Sequence, residues 1–360
     1  MFAIAAHPSR TEPSLVDLSE PRQPGPNDVL CRTLQVGVCG TDREILHSTE
    51  PMTPPNEPFL VLGHECLARV EVVGDEVTSL AVGDLVTPLV RRANQASSIR
   101  PDMLAFGEFV ERGIYLQHGF TSPWWLDRPQ YLLRVPPGMS DVAILTEPLS
   151  VVEKGVNEAL ILQQARLSSQ VWTTVPPRVL VTGLGPIGFA GVLACVARGW
   201  PVWVYGRDDE TSFRAELVRA LGGNYLSGAA HELTDIPDLE SNGYDLVLEC
   251  TGSDDVMIAA AQAMRSRAIM AWLGSERTPQ PKTFNVGRLM RDSLIRNQLI
   301  IGCVNSAPRD FEHALQHLEQ LRDSHGDALR RIITERVPPQ ESLWHYTHRQ
   351  PQGIKVVLKY

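Results

Sequence analysis

The chain has 360 residues, of which 43% are hydrophobic and 21% are charged, and its formal net charge is −9. This length and composition are typical of a globular protein with two domains, each able to bury its own core. The acidic balance argues against a nucleic-acid-binding surface, and no apolar run approaches the roughly 20 residues needed to span a bilayer.

The segment that begins at Met1 lacks the basic region and the long apolar run of a signal peptide. The six cysteines are scattered along the chain and form no CxxC pair. Together these features predict a cytoplasmic protein without a disulfide framework, which has neither nucleic acid nor membrane as a partner.

The first 150 residues are predicted to form irregular β structure, because short apolar runs are interrupted by proline and glycine. Residues 150–167 then have the apolar spacing of a helix. From residue 178 onward, apolar strands alternate with helical segments. The predicted strands are 179–182, 201–205, 244–249, 268–273 and 298–303, and the predicted helices are 189–198, 211–221 and 256–264. A helix at 311–322 and an alternating strand at 353–359 follow them.

This order of elements predicts an α/β fold with a parallel sheet that is covered by helices on both faces. We expect a mostly-β first domain at residues 1–150 and a doubly wound parallel-sheet domain at 151–304. Residues 305–360 are expected to return to the first domain.

A glycine-rich turn, Gly183-Leu184-Gly185-Pro186-Ile187-Gly188, follows an apolar strand and opens a helix. This context favours a dinucleotide-binding turn of the Rossmann type over a glycine-rich turn without a ligand. The glycines allow a tight turn, close approach of a pyrophosphate and close packing of helix on strand, and the helix N-terminus attracts the phosphates. Thr251 and Gly274 end later strands, so we expect them to line the nicotinamide side of this site.

The cofactor is predicted to be NADP, with NAD as the alternative. Gly206 occupies the strand-end position where NAD-binding sites usually have an acid, and Arg207 follows it. Asp208 could still accept from a ribose 2′-hydroxyl, which keeps NAD possible. Lys355 is a further candidate for the cofactor phosphate, although its position also fits an exposed strand residue.

A zinc site is suggested by Cys39, His64 and Glu147, because catalytic zinc takes three protein ligands and keeps one position open. Cys39 lies among small, turn-forming residues, and Glu147 lies where the first domain ends. The three residues are far apart in the sequence, so residue chemistry alone leaves open that they are unrelated.

Several segments together resemble the zinc-dependent medium-chain alcohol dehydrogenase family, and within it the microbial glucose dehydrogenase branch. They occur in family order at residues 37–44, 62–65, 107–114, 118–120, 147–154 and 300–305. The resemblance implies a GroES-like catalytic domain followed by a Rossmann domain, and a homodimer or homotetramer.

The resemblance also implies roles for individual residues. Cys39, His64 and Glu147 would be ligands of one catalytic zinc, with Glu65 as a nearby or exchangeable ligand. Thr41 would bind the substrate oxygen and start a proton relay, and Asp42 would stand behind the ligands. The expected contacts to a sugar or polyol substrate are Thr41, Glu111, His118, Glu147 and Asn305, of which Asn305 is also expected near the cofactor.

Three positions depart from the family pattern. Residues 91–104, where many members carry four zinc-binding cysteines, contain no cysteine, so we predict a single zinc per chain and no structural zinc. This lobe would then be held by packing, be held by a partner subunit, or be mobile. Val90 replaces an asparagine that binds the sugar in the glucose enzymes, and Ala68 replaces a usual glycine.

The leading hypothesis is a zinc-dependent glucose 1-dehydrogenase that converts an aldose to an aldonolactone. A second hypothesis is a dehydrogenase or reductase of another polyol, a cyclitol or a biosynthetic ketone. A third, from another class, is a non-catalytic NADP-binding module. The joint presence of Cys39, His64, Glu65 and Glu147 argues against the third.

Overall fold

The computed structural model describes residues 1–48, 52–230, 232–233, 243–274 and 281–360. It divides into two compact units. The first comprises Met1–Glu147, Asn305–Glu319 and Ile333–Tyr360, and the second comprises Pro148–Val304 and Gln320–Ile332. Residues 320–332 therefore belong to the second unit, whereas the sequence predicts that all of 305–360 return to the first.

The strands, in chain order, are β1 (Phe2–Ala6), β2 (Ser14–Asp17), β3 (Val29–Val38), β4 (Leu60–Val61), β5 (Glu65–Val73), β6 (Leu85–Pro88), β7 (Arg91–Ala93), β8 (Phe109–Arg112), β9 (Leu116–Gln117), β10 (Trp124–Asp127), β11 (Leu132–Arg134), β12 (Val179–Thr182), β13 (Val202–Gly206), β14 (Asn224–Ser227), β15 (Tyr244–Glu249), β16 (Met264–Trp272), β17 (Leu299–Gly302), β18 (Ile333–Val337) and β19 (Lys355–Lys359). The helices are α1 (Gly40–His47), α2 (Thr146–Arg166), α3 (Pro186–Ala197), α4 (Phe213–Ala220), α5 (Asp254–Gln262), α6 (Val286–Arg296), α7 (Pro308–Arg331) and α8 (Leu343–Thr347).

The first unit is built on a sheet with strand order β11-β6-β5-β3-β19-β18, and β10 also pairs with β3. The apolar side chains of β3 and β5 form its core, with Val36, Cys66 and Val70 fully or almost fully buried. Because β19 lies directly beside β3, the last strand of the fold is adjacent to the strand that leads into α1. This register brings residues near position 355 next to Val38 and Cys39.

The second unit contains a six-stranded parallel sheet with the order β14-β13-β12-β15-β16-β17. The strand order reverses direction at β12, and ligands of such sheets bind at the carboxyl ends of the strands on either side of that point. Helix α3 packs on β12 and β13, and α5 packs on β15 and β16. The predicted fold class is confirmed, as are the five predicted strands of this sheet.

Helix α2 begins at Thr146 rather than at the predicted residue 150. Pro148 lies in its first turn, where a missing N–H leaves no hydrogen bond unmade. All six cysteines are free thiols. Among the described residues, no helix combines the length and the apolar character required to cross a membrane.

Candidate active site

Cys39 connects β3 to α1 and caps the N-terminus of that helix. Its backbone is extended, with φ −107°, and its N–H donates to Asp42 Oδ2 at 2.8 Å. This bond fixes the first turn, and it leaves Thr41 Oγ1 3.8 Å from the Cys39 sulfur. The thiol and the hydroxyl predicted to act on the substrate therefore lie side by side.

His64 and Glu65 enter the same site from the start of β5, and both are buried. Asp42 Oδ1 lies 3.5 Å from His64 Nδ1. Burial alone would lower the pKa of His64, but the nearby Cys39 and Asp42 raise it well above its usual value. Asp42 thus lies beside His64, where a carboxylate standing behind a metal ligand is expected.

The ligand atoms of Cys39, His64 and Glu65 all lie within 4.8 Å of one another. Among the residues that the structure describes, these three are the histidine, cysteine and acidic side chains that lie close enough together to bind one metal ion. Sulfur, nitrogen and carboxylate oxygen are the donors that zinc takes in proteins, so these residues fit the metal that the sequence predicted.

Glu147, at the start of α2, is an electrostatic neighbour of this group. Burial raises the pKa of its carboxyl to about 7, while His64 opposes the rise and Glu65 adds to it. The structure thus brings Glu147 within electrostatic reach of both His64 and Glu65, which are more than 80 residues away in the sequence.

Lys355 has a different contact from the one we expected. Its ammonium is fully buried and donates to both carboxylate oxygens of Glu65 at 2.6 Å, and to the Val38 carbonyl at 3.3 Å. Burial lowers the pKa of Lys355, but the Glu65 charge outweighs it and the pKa is raised overall. Lys355 is therefore not an exposed strand residue, and its predicted contact with the cofactor phosphate stays a prediction.

Gly37 makes this ion pair possible. It pairs with Glu65 on β5 and with Val357 on β19, so it lies on the central strand between the two partners. A Cβ atom at position 37 would overlap Glu65 Oε2 and lie 3.0 Å from its carboxyl carbon. Only glycine leaves room for the two side chains to meet across β3.

A second polar group joins Glu111 and Asn305, two of the predicted sugar contacts. Asn305 Nδ2 donates to Glu111 Oε1 at 2.7 Å, and Arg91 Nε donates to the same oxygen at 2.9 Å. Sequence reasoning predicted Glu111 and Asn305 but missed Arg91, because a charged run does not indicate which carboxylate each arginine binds.

His118 has a structural contact. Its Nδ1 accepts from the Val61 N–H at 3.1 Å, and its ring stacks on Phe59. Burial lowers the pKa of this imidazole, which keeps Nδ1 available as an acceptor. The predicted role of His118 in substrate binding stays a prediction.

The glycine-rich turn has the geometry that its sequence predicted. Gly183 has φ +98°, Gly185 caps α3, and Pro186 and Ile187 form the first helical turn. A Cβ atom at Gly188 would overlap the Gly183 carbonyl oxygen, whereas no described atom lies within 4 Å of one at Gly185. The third glycine is thus required for packing, and the second leaves open space above the helix N-terminus.

At the end of β13, Gly206 is buried and Arg207 is exposed. A Cβ atom at position 206 would lie 2.6 Å from Leu184 Cδ1. The Asp208 carboxylate lies 3.5 Å from Arg214 Nη1, while its backbone carbonyl accepts from Tyr225 and Ser227. Sequence reasoning missed Arg214, which comes from the first turn of α4.

Thr251 and Gly274 are brought together by Glu249, a fully buried residue that sequence reasoning also missed. Its carboxylate accepts from Thr182 Oγ1 at 3.1 Å and from the N–H groups of Thr251 and Gly252 at 2.8 and 3.2 Å. Its carbonyl accepts from Gly274 N–H at 3.1 Å. Hydrogen bonds to Glu249 thus connect the carboxyl ends of β12, β15 and β16.

The lobe at residues 91–112, for which packing, a partner subunit and mobility are the three expectations, contains several internal contacts. Arg92 makes a buried two-bond pair with Asp127, at 2.5 and 2.7 Å, and covers the Tyr131 ring. The rings of Phe106, Phe109 and Tyr115 form a cluster with centroids about 5.6 Å apart. These contacts lie in and beside a stretch that contains no cysteine.

Two family profiles match this chain: "Alcohol dehydrogenase GroES-like domain" over residues 25–123 and "Glucose dehydrogenase C-terminus" over residues 140–360. Glucose 1-dehydrogenase 1 of Caldivirga maquilingensis is 35% identical, and the match covers 100% of this chain and 99% of that protein. The chain belongs to the glucose dehydrogenase branch of the zinc-dependent medium-chain alcohol dehydrogenases.

Other members of this family are similar over the same span. Glucose 1-dehydrogenase of Thermoproteus tenax is 36% identical, again over 100% of this chain and 99% of that protein. A structure of Haloferax mediterranei glucose dehydrogenase, in complex with NADP, Zn and gluconolactone, matches with a TM-score of 0.85 at 27% identity, covering 100% and 99% of the two chains. The resemblance and the two-domain fold predicted from the sequence are therefore confirmed.

Proposed function

We propose that this protein is a zinc-dependent, NADP-linked glucose 1-dehydrogenase that oxidises the anomeric hydroxyl of an aldose to an aldonolactone. The observation that carries the proposal is the grouping of Cys39, His64 and Glu65 in a chain related along its whole length to glucose 1-dehydrogenases. A bare NADP-binding module has no need of such a buried sulfur, nitrogen and carboxylate group.

Cys39, His64 and Glu147 would hold the metal, and Lys355 would hold Glu65 beside them. When bound, zinc supplies a Lewis acid that lowers the pKa of a substrate hydroxyl, and NADP supplies the hydride acceptor. Thr41 would accept the proton of that hydroxyl, because its own hydroxyl lies beside the Cys39 sulfur. Glu111 and Asn305 would accept from and donate to the other sugar hydroxyls, with His118 as a further candidate.

One zinc per chain is proposed, because the lobe at 91–112 contains no cysteine and has buried ion pairs and aromatic packing in its place. NADP preference is proposed because Arg207 is exposed where a 2′-phosphate would lie, while Arg214 holds the Asp208 carboxylate. The cofactor turn at residues 183–188, with Thr251 and Gly274, would hold the remainder of the dinucleotide.

Position 90 bears on which aldose is oxidised. Val90 is 2% exposed and packs with Leu89 and Phe311, so its surroundings are apolar. A substrate hydroxyl facing it would find no hydrogen-bond partner in that side chain. This observation favours testing other aldoses, polyols and cyclitols beside glucose.

We further propose a homo-oligomer, a homodimer or homotetramer, in the cytoplasm. The second unit exposes apolar side chains on α6, and its edge strand β17 pairs with β16. The free thiols support a reducing compartment.

A substrate panel with measured zinc content tests the function. The wild type should reduce NADP with an aldose and contain about one zinc per chain. Cys39→Ser should lose both the metal and turnover, whereas Cys303→Ser, which removes a buried thiol in the second unit, should keep both. Turnover with a polyol, cyclitol or ketone alone would favour the second hypothesis, and NADP binding without zinc or turnover would favour the third.

The cofactor assignment is tested through kcat/KM for NADP and for NAD in the wild type and Arg207→Ala. The ratio of the two values should fall by about tenfold or more, since a phosphate loses a charged hydrogen-bond donor. An unchanged ratio would remove Arg207 from the phosphate site.

A further inference from the structure

We propose that Arg91 is a positioning residue for sugar recognition, which orients the Glu111 carboxylate toward a substrate hydroxyl. The inference rests on the proposed function, because it assigns a partner to a predicted sugar contact. It concerns a residue whose side chain contacts Glu111, Asp102 and Phe109 within the lobe at residues 91–112.

The pairing of β7 with β8 places Arg91 directly opposite Glu111. Residues opposite each other on antiparallel strands have side chains on the same face, so the two charges meet there. Their side chains are 7% and 10% exposed, and Nε lies 2.9 Å from Oε1. A charge-assisted bond of this kind is strong because little water competes for either group.

Both donors that reach Glu111 bind the same oxygen. Arg91 Nε and Asn305 Nδ2 donate to Oε1, and no residue of the described chain donates to Oε2. The carboxylate is therefore fixed through one oxygen and presents the other as an acceptor. A sugar hydroxyl is a donor of the matching kind.

Arg91 is itself held on two further sides. Its Nη1 donates to the Asp102 carbonyl at 3.3 Å, and its guanidinium lies 3.8 Å from the centroid of the Phe109 ring. The Asp102 carboxylate in turn accepts from Arg100 at 2.7 and 3.1 Å. The packed lobe thus holds Arg91, and Arg91 holds Glu111.

A lysine at position 91 would keep the charge but lose the planar fork that reaches a carboxylate and a carbonyl at once. The proposal therefore predicts that charge alone does not restore the function. It also predicts that the effect of Arg91 depends on the presence of a carboxylate at position 111.

The test uses Arg91→Gln, Arg91→Lys, Glu111→Gln and the double variant Arg91→Gln/Glu111→Gln in the zinc-loaded protein. With the best aldose of the panel, both Arg91 variants should raise KM by about tenfold or more, with a smaller change in kcat and an unchanged KM for NADP. A simple secondary alcohol without further hydroxyls should be oxidised at wild-type efficiency. The double variant should be no worse than Glu111→Gln, because Arg91 acts through that carboxylate.

Arg92→Gln is the control for a purely structural effect, since Arg92 binds Asp127 and not Glu111. It should lower thermal stability and leave the sugar KM unchanged. Additive effects in the double variant, or an equal rise of KM in Arg92→Gln, would overturn the role of Arg91. An unchanged KM in Arg91→Gln would overturn it while the proposed function stands, and a wild type that oxidises no aldose would overturn both.

Discussion

Gly37 is the residue on which the buried Glu65–Lys355 pair depends. We predict that Gly37→Ala lowers the free energy of unfolding by about 2–3 kcal/mol, because the new methyl group overlaps Glu65 Oε2 and must displace a buried carboxylate. Zinc content should fall as well, since Glu65 lies within 4.8 Å of the Cys39 and His64 ligand atoms. Chemical denaturation and metal analysis measure the two effects.

Gly302→Ala is the matched control, because no described atom lies within 4 Å of a Cβ atom at that position. It should change stability by no more than about 0.5 kcal/mol. A Gly37→Ala protein that is as stable as this control would show that the pair tolerates a side chain between its partners.

Lys355 provides a second test at the same place. Lys355→Met should destabilise the protein by about 3–5 kcal/mol, because it leaves the Glu65 charge buried without a partner. The double variant Lys355→Met/Glu65→Gln should recover part of that loss. Thermal and chemical unfolding measure this. A weaker affinity for NADP in Lys355→Met without loss of stability would favour the predicted contact of Lys355 with the cofactor phosphate instead.

The residue types of the site could be predicted from the sequence, and their pairing could not. Cys39 and His64 carry donor atoms that zinc accepts, and the resemblance to the family singles them out as ligands. Glu65 and Lys355 are 290 positions apart, and no local pattern connects them. Glu249 was missed for a related reason: a lone acid in an apolar strand shows its role only once the neighbouring strand ends are known.

At the level of an element, the turn between β12 and α3 contains one glycine that packing requires and another that leaves space for a ligand. Gly188→Ala should destabilise the protein and weaken NADP binding, because its methyl group overlaps the Gly183 carbonyl. Gly185→Ala should leave unfolding without cofactor unchanged, since space is open there, but weaken NADP binding by about tenfold or more where the backbone approaches the pyrophosphate. Calorimetric unfolding and NADP titration distinguish the two, and equal stability losses would contradict this division.

Elements with a strong apolar pattern were predicted within a few residues, as for β12, β13 and β15. β14 and α6 were not predicted. β14 is short and begins with an exposed asparagine, so it does not show the periodicity of a core strand. α6 has apolar residues at helical spacing but no fully buried residue, and we did not assign it. The start of α2 was placed too late because its first turn contains Pro148, which ends a helix elsewhere but is tolerated there.

At the level of the whole molecule, the exposed face of α6 leads to a prediction about assembly. Val286, Met290 and Leu294 follow one another at intervals of four, so they share one side of the helix, and they are 53%, 66% and 80% exposed. Apolar stripes of this kind on an edge element mark association surfaces. We propose that a second copy of the chain binds this face of α6.

Leu294→Glu should therefore shift the protein to a smaller species in light scattering at micromolar concentration, with the fold intact by circular dichroism. Val82→Glu is the control, since Val82 is also exposed, at 63%, but lies in the first unit. An unchanged mass for Leu294→Glu would place the subunit contact elsewhere.

The position of β19 has a consequence for the order in which the chain can fold during its synthesis. β19 lies between β3 and β18, and it carries the lysine that neutralises Glu65. All residues of the second unit, up to Ile332, leave the ribosome before β19 does. The second unit can therefore complete its sheet on the nascent chain, while β3 keeps an open edge and Glu65 an unmatched charge until the last strand arrives.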